Sequence, residues 1–239
     1  MTARQPKRFY KMATVAASGD AFVLQLDGKA AKTARGGQIA TEISALAEAI
    51  AAEWNAQGER IDFLRMPMTR FLGTTIDLGG DDAGKWRETW LAFLKSEHLC
   101  YRATAPSELV ERQRGAWDPL LDWAALSFEI RLATGAGVSF IAQPPDTLAA
   151  GARLIKRADA ANVLGMKEAA EISGSAVIAL ALSRRAFPSE VLFGASRVDE
   201  DFQTERWGED AEAADRRAGL RIDFLDAARF LDLVNQKAR

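Results

Sequence analysis

The hydrophobic pattern changes character about a third of the way along this 239-residue chain. The first part is strand-like. Phe9-Tyr10-Lys11-Met12-Ala13-Thr14-Val15 and Ala21-Phe22-Val23-Leu24-Gln25-Leu26 are short runs of strand formers, separated by the turn signal Ser18-Gly19-Asp20. Asp27-Gly28 permits the positive φ of a tight hairpin turn, and Lys29–Thr33 predicts a third strand. Residues 8–33 therefore predict a three-stranded antiparallel meander, followed by a loop at 34–38 around Gly36-Gly37. From Glu42 to Gln57 the period lengthens. Ile43, Leu46, Ala47, Ile50, Ala51 and Trp54 recur on one helical face, which should pack on the meander. Thr41 is placed as its N-cap and Gly58 as its stop. Ile61–Leu64 predicts a further short strand, and the pattern leaves the state of Phe71–Asp77 open.

The stretch Gly79-Gly80-Asp81-Asp82-Ala83-Gly84 reads as a linker, because beyond it strand signals give way to helical ones. A domain boundary is placed there, giving an N-terminal unit over 1–80 and a C-terminal unit over 81–239. Helices are predicted over Ala83–Ser96, with Trp86, Trp90, Phe93 and Leu94 on one face, and over Pro106–Gln113 and Asp118–Thr134. Further helices are expected at about 146–161, 167–173, 188–195, 198–215 and 224–235. Leu99–Arg102 and Val138–Ala142 look extended. Ala176–Leu182 is wholly apolar and hence buried, as a central helix or a buried strand. The fold class is α+β: a small N-terminal antiparallel β-sheet unit with a packed helix, then a larger all-α C-terminal domain.

Charge and cysteine content narrow the class of protein. A single cysteine, Cys100, excludes an intramolecular disulfide and fits a reducing compartment. A net charge of −2 speaks against nucleic acid or a membrane surface as the partner. No apolar window reaches the ~20 residues of a membrane span. Without a secretory or transit signal, a cytoplasmic location is expected. The charge is uneven, however. Residues 1–35 hold seven bases, from Arg4 to Arg35, against Asp20 and Asp27, whereas Val198–Asp215 holds eight carboxylates around one base, Arg206.

Candidate chemistry is sparse. His98 and Cys100 lack a third catalytic member, and there are too few Cys and His residues for a zinc site. Gly79-x4-Gly84-Lys85 resembles a phosphate loop, but Trp86 stands where a Ser or Thr would bind magnesium and two aspartates lie inside the loop. The reading is of a non-enzyme with no cofactor and no metal. Five of the six tryptophans (Trp54, Trp86, Trp90, Trp117, Trp123) lie among aliphatic residues at helical spacing, as core residues do; Trp207 has charged neighbours. On a helix, Asp199, Gln203, Arg206 and Asp210 share one stripe beside Trp207. A carboxylate run of this kind is either a solvated helix face or a surface that a partner touches. An enzyme or metal-binding protein using the Asp199–Asp210 carboxylates is the competing reading.

An ordered set of short motifs narrows the choice. These are Arg8-Phe9-Tyr10-Lys11, Leu26-Asp27-Gly28, Thr33, Glu53-Trp54 with Gln57, Met66-Pro67, Leu99-Cys100-Tyr101-Arg102, Gln113, Trp117-Asp118-Pro119-Leu120 and Ser173-Gly174-Ser175. Asp199-Glu200, Gln203 and Trp207-Gly208-Glu209-Asp210 complete the set. Together they resemble the assembly chaperone of the F-type ATP synthase that protects the alpha subunit of the catalytic head, in mitochondria and alphaproteobacteria. The resemblance implies a two-domain, non-catalytic, cofactor-free protein that binds the unassembled alpha subunit; a monomer is expected. It implies functional importance for 195–210, with Glu200 foremost. Asp199, Glu200, Gln203, Trp207 and Asp210 are the expected partner-binding residues.

Overall fold

A computed structural model describes residues 5–137, 139–208 and 210–238. Arg4, Val138 and Glu209, which the sequence reading invoked, lie outside the described residues. The chain divides into two compact units, Met1–Ala83 with Arg229–Arg239, and Gly84–Ala228.

The N-terminal unit is built on a small antiparallel sheet. Strand β1 (Ala13–Ser18) pairs along its whole length with β2 (Ala21–Leu26). The other edge of β2 is shared by β3 (Lys29–Ala30) and β4 (Ala40–Thr41). The meander is thus present, but its first strand begins at Ala13 rather than Phe9 and runs on to Ser18, its third is shorter than expected, and a fourth is added. Asp27 and Gly28, both at positive φ, make the turn, and the Asp27 carboxylate accepts from Lys11 N and Met12 N. Those two bonds hold the carboxyl below the usual range.

Helix α1 (Ser44–Asn55) packs on β1 and β2 through Leu46, Ala47, Ile50, Ala51 and Trp54, all buried. The Asn55 amide clamps it there by pairing with both N and O of Ala13, at 2.8 Å each. The helix starts at Ser44, so Thr41 is not its N-cap. The Thr41 hydroxyl accepts from Ile43 N in the strand end instead, and the helix stops at Ala56 before reaching Gly58. Residues 61–64 are not a strand; Phe63–Arg65 is a single 3-10 turn in which Asp62 accepts from Leu64 N.

Helix α2 (Pro67–Lys95) overturns the linker reading, because it runs unbroken through Gly79–Gly84. The three glycines there, Gly79, Gly80 and Gly84, cost about 1 kcal/mol each in a helix interior. Buried positions Leu72, Gly79, Ala83, Trp86, Trp90 and Leu94 keep helical spacing across the segment, and that burial outweighs the propensity.

In the C-terminal unit, α3 (Ser107–Phe128) is one helix where two were expected. Pro119 removes a backbone donor. Yet Gln113, Trp117, Leu120 and Ala124 form one buried stripe across it, so packing again decides. Strands β5 (Tyr101–Arg102) and β6 (Gly135–Ala136) pair in parallel, and 139–142 has no strand. Helices α4 (Pro145–Lys156) and α5 (Ala160–Ser173) are divided at Asp159, which caps α5 by accepting from Asn162 N. The expected division, further along near 161–167, missed this cap. Gly174, left-handed, closes α5, and Ser175 caps α6 (Ala176–Ser183), every residue of which is buried. That settles helix over strand for the apolar run. It packs against α3, α5 and α7 (Ser189–Ala195) as the centre of this unit. Among the described residues no helix is long and apolar enough to cross a membrane.

Candidate partner-binding site

The acidic stretch forms two helices. Helix α8 (Val198–Trp207) ends at Gly208, at φ 81, and α9 (Ala211–Val234) begins three residues later. The break changes which residues share a face. Asp210 lies beyond the end of α8, where its Oδ1 accepts from Ala213 N at 2.8 Å and caps α9. It does not continue a stripe with Asp199 and Gln203.

Phe202, 3% exposed, sets the phase of α8. Positions 199, 202 and 206 turn toward α3. There Asp199 Oδ1 accepts from the Gln113 amide at 2.7 Å, and Arg206 lies over the Phe202 ring while donating to Glu108 at 3.1 Å. Glu205 pairs with Arg112 at 2.7 Å. Arg206 and Arg112 together hold the Glu108 carboxyl below its ordinary range. Gln113 is buried and bridges two elements, since its carbonyl also accepts from Ala103 N. Trp117 adds a bond from Nε1 to Ala195 O at 2.7 Å. Asp199 is therefore a strut between α8 and α3.

The opposite face carries Glu200, Gln203 and Trp207, spaced i, i+3, i+7 and all exposed. Trp207 is 76% exposed, with no ring contact among the described residues. These three line an open groove of about 370 Å³, together with Arg216, Arg217 and Leu220 of α9. The α9 residues were missed in the sequence, where 211–215 looked like a continuation of the acidic run.

The groove is not a bare acidic surface. Glu200 pairs with Arg197 at 3.0 Å, and Asp201 pairs with Arg217. Burial raises the Asp201 carboxyl above its ordinary value, against the pull of Arg217. The Arg197 guanidinium also donates to Ile172 O and Ser196 Oγ, which fixes the pair in place. With its charges locally paired, the groove offers an apolar anchor, Trp207, inside a polar, charge-balanced rim. That is the composition of a reversible protein interface.

Nearby groups with catalytic potential are shifted by burial. Burial pushes the Cys100 thiol up to about 12, so it holds no thiolate at neutral pH. His98, its ring 5.2 Å from that of Trp117, has its pKa lowered by burial, against the opposing pull of Asp199 and Glu200. Among the described residues no three His, Cys, Asp or Glu side chains gather as a metal site.

The fold has relatives among known proteins. The family model described as ATP12 chaperone protein matches residues 7–125. The structure of a protein from Agrobacterium tumefaciens is 37% identical, with a TM-score of 0.90 over 96% of this chain and 86% of that one. Atp12 from Paracoccus denitrificans is 30% identical, with a TM-score of 0.90 over 95% of this chain and 98% of that one. A single-substitution variant of the Paracoccus protein matches equally well, at TM-score 0.91 and 30% identity over 95% and 97% of the two chains.

Proposed function

The chain belongs to the ATP12 chaperone protein family, and from that premise we propose that it is an assembly chaperone of the F-type ATP synthase. It binds the unassembled alpha subunit, prevents its aggregation and yields it to assembly. It acts as a monomer in the bacterial cytoplasm, without catalysis or cofactor. The contact runs through Glu200, Gln203 and Trp207, with Arg216 and Leu220 across the groove, while Asp199 and Asp210 hold the two helices that present them.

The observation that carries this reading is Trp207, a large aromatic left exposed on an ordered helix at the edge of a groove. Aromatic anchors of this kind dominate interface energies. A charge-balanced rim contributes to partner choice without demanding tight affinity, which suits a chaperone that must be displaced. The test is light scattering of free alpha subunit with added chaperone. Wild type is expected to suppress aggregation near stoichiometric amounts and to co-purify with the free subunit but not with the assembled head. Trp207→Ala is expected to lose both effects. Equal protection by the variant would remove the groove from the account, and failure of the wild type would remove the client.

A further inference from the structure

The N-terminal unit carries a second groove, of about 610 Å³, formed only by residues 9–78. Its lining joins the buried Trp54 to the exposed rings of Phe9 and Phe63, which are 72% and 45% exposed. Three bases, Lys32, Arg35 and Arg70, stand in the same lining with one carboxylate, Asp77. That carboxylate is already engaged: Oδ1 accepts from the Thr33 hydroxyl and Oδ2 from Arg35 N. Neither Lys32 nor Arg70 has an acidic partner among the described residues.

The walls are held rigid. Thr33 N donates to Gly37 O at 2.7 Å and Gly36 sits at φ 88, which closes the loop before β4. Gly37 lies so close to α2 that a Cβ there would meet Ile76 Cγ2 at 2.7 Å. On the other side, Arg8 donates to three carbonyls, of Tyr10, Lys11 and Gln57. The Tyr10 hydroxyl donates to Trp54 O at 2.6 Å, and the Phe9 ring lies 5.4 Å from that of Tyr10. Phe9 is thus fixed between two anchored neighbours while its own ring faces solvent.

We propose that this groove docks a segment of a partner protein in which a large apolar side chain is flanked by carboxylates. The aromatic lining takes the apolar side chain, and Lys32, Arg35 and Arg70 meet the carboxylates. Charge selects the partner: the bases of the lining outnumber its one engaged acid. A nucleic acid is the less suitable occupant, because its binding grooves track phosphates with bases along their length, whereas this lining is chiefly apolar. None of its lining residues comes from α8 or α9.

The test is fluorescence anisotropy of a labelled peptide, acetyl-Asp-Glu-Phe-Leu-Glu-Asp-amide, titrated with the full chain. Saturable binding is expected, weakened at least about tenfold by Arg70→Glu and several-fold by Phe9→Ala. Trp207→Ala should leave it unchanged, so the groove and the α8–α9 reading fail separately. A version of the peptide with lysines in place of its acids should not bind. The proposal is overturned if the peptide does not bind or if the lysine version binds equally. It is also overturned if both groove variants bind like wild type, or if a single-stranded oligonucleotide displaces the peptide. A dimer in sedimentation that Phe9→Ala dissociates would assign the groove to a second copy and overturn it as well.

Discussion

Each unit places a buried glutamate at the start of a helix, and the two are not equivalent. In the N-terminal unit Glu53 receives Met68 N at 2.7 Å, Thr69 N at 2.8 Å and the Thr69 hydroxyl at 2.7 Å, all in the first turn of α2. In the C-terminal unit Glu97 receives Val177 N of α6 at 3.1 Å and Leu99 N at 3.3 Å, and it is wholly buried. Burial raises both carboxyls. Glu53 is pulled back by its short bonds and by Arg229, whereas Glu97 is pushed up to about 7. Helix N-termini favour an anion, yet the comparison teaches that the terminus alone does not decide the charge state. Length of the bonds and depth of burial do, so one capping glutamate acts as a fixed acceptor and the other is poised to titrate.

The largest expected effect breaks the fixed acceptor. Glu53→Ala leaves two backbone N–H groups and a hydroxyl unpaired in a buried site, at a cost of about 3–5 kcal/mol by urea denaturation. A loss below about 1 kcal/mol would mean that water or a neighbour replaces the carboxylate, and the contrast between the two glutamates would collapse.

Next comes the titrating one. Glu97 is raised from 4.5 to about 7 in the folded protein. Its contribution is therefore fully present below about pH 4.5, where both states are protonated, and is lost as pH rises toward 7. Linkage makes the loss about 3 kcal/mol over that window. Denaturation at several pH values should show wild type losing stability relative to Glu97→Gln as pH rises, although the variant starts lower because its amide turns a donor toward a backbone N–H. Parallel curves for the two proteins would show that Glu97 titrates alike in the folded and unfolded chain, and that burial does not raise it.

How much of this was legible in the sequence depended on whether the deciding partner was local. The buried stripe of α1 was readable because its residues lie at helical spacing within one segment. The continuity of α2 was readable in principle, since Leu72, Ala83, Trp86 and Trp90 stay in phase across the glycines; local composition distracted from that phase. The same holds for α3 across Pro119. The roles of Glu53, Glu97 and Gln113 were not legible, because each depends on a partner between 10 and 86 residues away. For α8 the run of acids hid the phase. Phe202, an interior apolar residue of that helix, marks the inward face, and starting from it gives 200, 203 and 207 as the outward stripe. Only the position of Gly208, ending the helix, takes Asp210 out of line.

The strut between α8 and α3 gives a smaller effect. Asp199→Ala leaves the buried Gln113 amide without its acceptor and should cost about 1–2 kcal/mol. It should also weaken client binding less than Trp207→Ala does, because it loosens the helix without removing a contact. If the order is reversed, Asp199 itself meets the partner.

The smallest expected effect on stability falls on the outward stripe. Trp207→Ala and Glu200→Lys should each change unfolding free energy by less than about 1 kcal/mol, as exposed positions do. Trp207 buries little of its ring, and the Glu200–Arg197 pair is half exposed at the carboxylate. Arg197 retains its bonds to Ile172 O and Ser196 Oγ when Glu200 is replaced, so the added lysine faces a guanidinium that is still held. Both variants should nevertheless weaken alpha-subunit capture in a pull-down, Trp207→Ala through the lost anchor and Glu200→Lys through reversed charge at the rim. Two outcomes are decisive. A Glu200→Lys protein that unfolds easily would make the ion pair part of the scaffold, like Asp199. Variants that are stable and still capture the subunit would return the α8 surface to ordinary solvent.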